Sequence, residues 1–236
     1  MTTPPKTQGQ ATAPAATTHL SIPLAAGQPV SGLYTSTSAS RSCYVLAHGA
    51  GAGMHHPFLT AVAEGLASRS ISTVRYQFPY MEQGSKRPDT PKVAHAAVRG
   101  AVQQAARLNP GLPLFAGGKS FGGRMTSQAQ AESPLPSVRG LVFLGFPLHP
   151  PGRPSDERAQ HLFQIQIPML FLQGDRDEFA ELKLLQQVIE QLGQRATLKL
   201  FPDADHSFHV RKRSGQTDAQ VQSQMLDAIA AWTAML

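Results

Sequence analysis

Residues 112–131 read LPLFAGGKSFGGRMTSQAQA. The first five, Leu112 to Ala116, form a continuous apolar run rather than an alternating one, which suits a strand buried on both faces of a parallel sheet. Glycines follow, and a helical stretch runs from there to about Ala131. Gly118-Lys119-Ser120-Phe121-Gly122 is therefore a G-x-S-x-G set between a strand and a helix. A turn this tight leaves no room for side chains at Gly118 and Gly122. Their absence lets Ser120 project from the turn, at a helix N-terminus whose dipole favours nearby negative charge. The plainer reading of the same residues is a Gly-rich βα turn with a capping serine. Two other motifs overlap here and fail on register. The Gly-Lys-Ser ending of a phosphate-binding loop requires a glycine where Pro113 stands. The GAGAG after His48 lacks the final glycine of a dinucleotide fingerprint, which falls on Met54 or His56.

Working outward, the chain alternates strands and helices. HLSIPL (19–24) and VSGLYT (30–35) flank AAGQP and read as a hairpin. CYVLA (43–47) is a second continuous apolar run and ends in HGAGAG. Helix is expected over 57–68, strand over 71–76, a Gly- and Pro-rich loop over 77–90, and helix from Pro91 to about Leu108. VRGLVFLGF (138–146) and IPMLFLQG (167–174) are further buried strands. Helix over 178–192, strand over 196–201 and an amphipathic helix from about Asp218 complete the pattern. Repeated βα alternation implies an α/β fold: a mainly parallel sheet, right-handed crossovers and helices on both faces. In such sheets reactive groups belong on loops at the carboxyl ends of strands.

Length and composition bound the rest. The 236 residues are 41% hydrophobic and 15% charged, enough for one sizeable core and too little charge for a disordered chain. A single domain over 19–236 is expected. Residues 1–18, rich in Thr, Pro, Ala and Gln, are expected to form an unordered tail. No apolar stretch is long enough to span a membrane, and the start carries no signal-peptide pattern, so a cytoplasmic location is expected. One cysteine, Cys43, excludes an internal disulfide framework and a cysteine-based zinc cluster. The net charge is +6, but its only dense run is Arg211-Lys212-Arg213, with no aromatic-interleaved basic stripe. Neither nucleic acid nor membrane is an expected partner. The basic run is read as a solvated surface, with a place near an anionic substrate as the alternative.

A serine hydroxyl is a weak nucleophile at neutral pH and needs a base, and the base needs an acid to hold its tautomer. In this architecture the chain order is Ser, acid, His. Gly174-Asp175-Arg176-Asp177 follows the strand MLFLQ, and Pro202-Asp203-Ala204-Asp205-His206 follows the strand LKLF. Asp177 is the favoured acid, from a G-x-x-D turn, with Asp175 as its competitor. His206 is the favoured base, with His209 as its competitor. Backbone N–H groups for an oxyanion are expected at Phe121 and, in the loop after CYVLA, at Ala50, with Gly51 second. His48 reads as structural. Asp203, Asp205, His206 and His209 are dense in potential ligands, but no H-E-x-x-H is present, and neither metal nor cofactor is expected.

VLAHGAGAGM, GGKSFGGRM, GFPLHPPGRP and IPMLFLQGDRDEF together resemble the α/β-hydrolase-like family of small bacterial proteins related to dienelactone hydrolases. That family also includes a subunit of the nonspecific-lethal histone acetyltransferase complex and a testis-expressed relative. The resemblance covers about residue 42 to the C-terminus, and PLHPPGRP is its most distinctive element. It implies an α/β-hydrolase fold with Ser120 as nucleophile, Asp177 as acid and His206 as base. Dienelactone hydrolases themselves use cysteine where this chain has Ser120, so their substrate is not carried over. The link 148–166 is too short for a large cap domain, so the pocket is expected to be open. Its walls are expected from the loops around Tyr76 to Pro91 and Leu148 to Pro154. Gly51, Tyr76 and His149 are candidate lining residues, His149 with a structural hydrogen-bonding role as the alternative. The leading expectation is a serine hydrolase acting on a small-molecule ester, thioester or similar acyl substrate. The competing one is a non-catalytic scaffold of the same fold that binds protein partners.

Overall fold

The computed structural model describes residues 15–25 and 27–236. Its eight strands are β1 (Ala16–Ile22), β2 (Val30–Ser36), β3 (Ser42–Ala47), β4 (Ile71–Tyr76), β5 (Leu114–Lys119), β6 (Val138–Leu144), β7 (Met169–Gly174) and β8 (Ala196–Phe201). They form one sheet in the order β1-β2-β4-β3-β5-β6-β7-β8. The β1–β2 and β2–β4 pairs are antiparallel, and the rest of the ladder is parallel. The helices are α1 (Pro57–Ala67), α2 (Pro79–Glu82), α3 (Pro91–Leu108), α4 (Phe121–Glu132), α5 (Leu182–Leu192) and α6 (Asp218–Thr233).

Every residue of β3, β4 and β7 is buried, as parallel strands covered on both faces require. The two-residue period sends Tyr44 and Leu46 to one face, where they pack with α1 and α6. Val45 and Ala47 go to the other, under α3, α4 and α5. Helix starts follow local chemistry. Pro57 and Pro91 occupy first-turn positions of α1 and α3, and Thr217 with Gln220 forms a capping box on α6. This is the α/β-hydrolase architecture that the motifs imply. The 148–166 link holds only a 3-10 helix, Glu157–Gln164, so no cap domain is inserted there. No helix among the described residues is long and apolar enough to cross a membrane.

Three boundaries differ from expectation, each for a physical reason. β1 begins at Ala16, inside the stretch expected to be an unordered tail. Thr17 and Thr18 are β-branched and pair with Thr35 and Tyr34, and the Thr17 and Thr35 hydroxyls are 3.0 Å apart. The remainder of that tail, residues 1–14, lies outside the described residues. β5 runs from Leu114 to Lys119, extended through Gly117 and Gly118 because only glycine fits between the neighbouring backbones. α5 begins at Leu182 rather than 178. The amides that would open an earlier turn are taken by side chains: Phe179 N–H donates to the Asp177 carboxylate and Glu181 N–H to His149.

Candidate functional site

The carboxyl ends of β3, β5, β7 and β8 open on one rim of the sheet, and Ser120 stands there between β5 and α4. A Cβ on Gly118 would lie 2.2 Å from the Ala47 carbonyl oxygen, and one on Gly122 2.5 Å from that of His48. Both contacts are shorter than any real Cβ makes, so the motif glycines are steric necessities. Ser120 itself is held at φ 50°, ψ −116°. A non-glycine residue there carries about 1–3 kcal/mol of backbone strain, sustained by the surrounding fold.

Eighty-six residues later, His206 Nε2 lies 2.9 Å from Ser120 Oγ. Its Nδ1 lies 2.6 Å from Asp177 Oδ2. The Asp177 side chain is fully buried, and the His206 side chain is 17% exposed. The carboxylate is held on both oxygens: Gln173 Nε2 donates to Oδ2 at 2.5 Å and Phe179 N–H to Oδ1 at 2.8 Å. The Phe179 ring lies 4.4 Å from the imidazole, centroid to centroid. An imidazole that donates from Nδ1 to a carboxylate presents Nε2 as an acceptor, the tautomer that can take a serine proton.

Lys119 sits directly before Ser120 and donates from Nζ to the His206 carbonyl at 2.6 Å. Burial pushes this ammonium down from 10.5 to about 8, with Asp177 and Asp205 pulling the other way. On the opposite side, the loop after β3 is fastened by Tyr80, whose hydroxyl accepts the Gly51 N–H at 2.9 Å. Two recesses meet at Ser120. One, of about 310 Å³, is walled by Phe58, Leu59 and His206. The other, of about 350 Å³, is walled by Asp89, Phe121, Arg124 and Arg158. Phe179 and Ala50 border both.

The structure brings together Ser120, Asp177, His206, Phe121 and Ala50 and sorts the alternatives. Asp175 and His209 are exposed, and His209 pairs with Asp218 at 2.8 Å. The Gly51 amide is engaged by Tyr80, whereas neither Ala50 N–H nor Phe121 N–H has a partner among the described residues. Arg211, Lys212 and Arg213 are exposed and line neither recess. Among the described residues no three His, Cys, Asp or Glu side chains converge as metal ligands.

The three expected lining residues are elsewhere. Gly51 lines neither recess, its amide being held by Tyr80. Tyr76 is fully buried in the core beneath α4, because it shares the inward parity of Val74 on β4. His149 is also buried. Its Nδ1 donates to the Pro150 carbonyl at 2.8 Å and its Nε2 accepts Glu181 N–H at 2.7 Å, so it ties the β6 and β7 loops together. His48 is structural as expected: it is fully buried, accepts Phe78 N–H on Nε2, and burial lowers it to about 4.

Sequence reasoning passed over Lys119, Gln173, Tyr80, Phe179, Arg124 and Arg158. Two of them carry a local signal. Gln173 is a polar residue closing an otherwise apolar buried strand, and Arg124 lies one helical turn after Ser120.

Residues 40–234 match the alpha/beta hydrolase domain family, and the chain belongs to it. Among solved structures it is similar to a dienelactone hydrolase from Anabaena variabilis, with 19% identity, a TM-score of 0.73, and coverage of 94% of this chain and 99% of that one. It is similar to an α/β serine hydrolase without lid from Xanthomonas campestris, with 21% identity, a TM-score of 0.69, and coverage of 92% and 94%. An alpha-beta serine hydrolase homologue from Coxiella burnetii matches at 17% identity and a TM-score of 0.72, over 89% of this chain and 96% of that one. At these identities the likeness is one of fold.

Proposed function

We propose that this α/β-hydrolase-family protein is a serine hydrolase cleaving an ester, thioester or similar acyl bond of a small molecule through an acyl-enzyme. The observation that carries the reading is the unbroken chain from Ser120 Oγ to His206 Nε2 at 2.9 Å and from His206 Nδ1 to Asp177 Oδ2 at 2.6 Å. Ser120 Oγ attacks the acyl carbon as its proton passes to His206 Nε2. Asp177 holds the ring and stabilises the imidazolium, and the Phe121 and Ala50 N–H groups receive the oxyanion. On collapse the carbon–oxygen or carbon–sulfur bond breaks, and the leaving group takes the proton from His206. Water then attacks the acyl-enzyme with His206 as base, which releases the acid and restores Ser120. Apart from that water, every step uses groups the chain supplies.

A fluorophosphonate probe is expected to label the native protein and not Ser120→Ala, and p-nitrophenyl esters of graded length to be hydrolysed only by the former. Equal labelling of both proteins refutes the assignment. No labelling and no hydrolysis, with a stoichiometric protein partner in pull-downs, would favour the scaffold reading instead.

A further inference from the structure

The two recesses at Ser120 differ in chemistry. On the Phe58 side the wall is mostly apolar and its one ammonium, Lys119, is committed to the His206 carbonyl, whereas on the Phe121 side it holds two guanidinium groups, Arg124 from α4 and Arg158 from the 3-10 helix of the β6–β7 link. Neither has a carboxylate within 4 Å among the described residues; of the chain's arginines only Arg69, 2.7 Å from Asp227, and Arg99, 3.8 Å from Glu132, have one. Arg124 Nε is buried without any hydrogen-bond partner. A buried donor left unmade and two like charges on one wall both cost stability, and an arriving anion would offset both. Guanidinium groups also match a carboxylate in shape, offering paired N–H donors to its two oxygens.

Resting on the serine-hydrolase reading, we propose that the recess between Phe121 and Arg158 is an anion subsite, and that the preferred substrates are esters bearing a carboxylate held by Arg124 and Arg158. Burial first, and the Arg158 charge second, push the Arg124 guanidinium below its ordinary range. Asp89 borders the same recess, with Oδ2 accepting Tyr80 N–H at 3.0 Å, so the two guanidinium groups face one carboxylate and leave the wall with a net positive charge. An uncharged acyl group would find its place in the other recess, against Phe58 and Leu59.

The test uses two ester pairs with the native protein and with Arg158→Gln and Arg124→Gln. Monomethyl adipate and methyl heptanoate place or omit a carboxylate on the acyl side, and 4-acetoxybenzoate and 4-tolyl acetate do so on the alcohol side. The native protein is expected to favour the anionic member of at least one pair by about tenfold in kcat/KM, and both variants to lose that preference. In parallel, calorimetry measures monomethyl adipate binding to Ser120→Ala, where no turnover intervenes. Binding there should weaken with added salt and fall about tenfold or more when Arg158→Gln is added. Neutral esters hydrolysed as well as anionic ones, or a preference untouched in both variants, overturns the subsite. If the native protein hydrolyses no ester at all, the serine-hydrolase reading fails, and the calorimetry still decides the subsite: salt-sensitive, Arg158-dependent binding supports it, and no binding overturns it.

Discussion

Lys119→Met tests whether a lysine is held half-neutral beside the candidate nucleophile. Met keeps the length of the stem and removes the charge. In the folded protein the Lys119 ammonium titrates near 8 instead of 10.5. A shift of that size corresponds to about 3 kcal/mol of disfavour for the charged form, at roughly 1.4 kcal/mol per pH unit. Between those two values the unfolded chain binds a proton that the native state does not, so unfolding free energy rises with pH. Relative to Lys119→Met, the native protein should therefore gain roughly 1.4 kcal/mol per pH unit above pH 8, levelling off near 10.5. At pH 7 both folded and unfolded chains hold the proton, so the difference between the two proteins there is the flat baseline from which the rise is read. Urea unfolding at pH 7, 8, 9 and 10 and fixed ionic strength measures the difference. Stabilities that run parallel across this range would mean an ordinary, well-solvated lysine, and the account of its burial would be wrong. Ester hydrolysis by the variant should fall about tenfold, because the His206 carbonyl loses the donor that positions the loop.

Gly118→Ala forces a methyl to 2.2 Å from the Ala47 carbonyl at φ +149°; a loss of about 3 kcal/mol or more is expected, read as a fall in Tm of roughly 6–12 °C. Tyr80→Phe removes the acceptor of the Gly51 N–H, and kcat/KM for an ester should drop severalfold with a stability loss of about 1 kcal/mol. His48 is held neutral by burial, which lowers it from 6.5 to about 4. Its contribution is therefore complete above pH 6.5 and lost as pH falls toward 4, by up to about 3 kcal/mol, and unfolding of His48→Gln should be correspondingly less steep over that window.

Legibility in the sequence divides along physical lines. CYVLA and VRGLVFLGF announce buried strands because burial on both faces demands continuous apolarity, and β3 and β6 lie within a residue or two of those runs. Ser120, Asp177 and His206 were readable because each follows a strand at the rim where such sheets place reactive groups. Tyr80 was not readable: it reaches the Gly51 amide from 29 residues away, out of a loop whose short helix α2 has no periodicity to show. Arg158 was equally hidden, since only the packing of the β6–β7 link against α4 carries it to the Ser120 recess. The helix expected from 178 was misplaced for a related reason. His149, 32 residues upstream, takes the Glu181 amide, and local propensity cannot foresee a distant acceptor. Tyr76 was misassigned although the information was local: the alternation of β4 already put it on the same face as Val74, packed under the helices rather than open to the rim beside it.

How the imidazole reaches the serine explains two glycines, Gly174 and Gly145, in steric terms. His206 follows β8, the edge strand, while Ser120 follows β5, and β6 and β7 lie between them. The loop after β8 must therefore cross the ends of two strands. At the end of β7, a Cβ on Gly174 would lie 2.2 Å from the Ala204 carbonyl oxygen. Just past β6, a Cβ on Gly145 would lie 3.3 Å from His206 Nδ1 and 3.2 Å from Lys119 Nζ. Gly145 also adopts φ +71°, a conformation that side chains disfavour. Both glycines clear the path, and the polar groups beneath it fix where it ends. Lys119 holds the His206 carbonyl from one side, and Gln173, itself anchored by Phe146 N–H at 2.8 Å, holds the Asp177 carboxylate from the other. The 2.9 Å contact between Ser120 and His206 is thus set by the ends of four adjacent strands rather than by the loop that carries the histidine, which is how an open rim without a cap can hold a reactive pair in register.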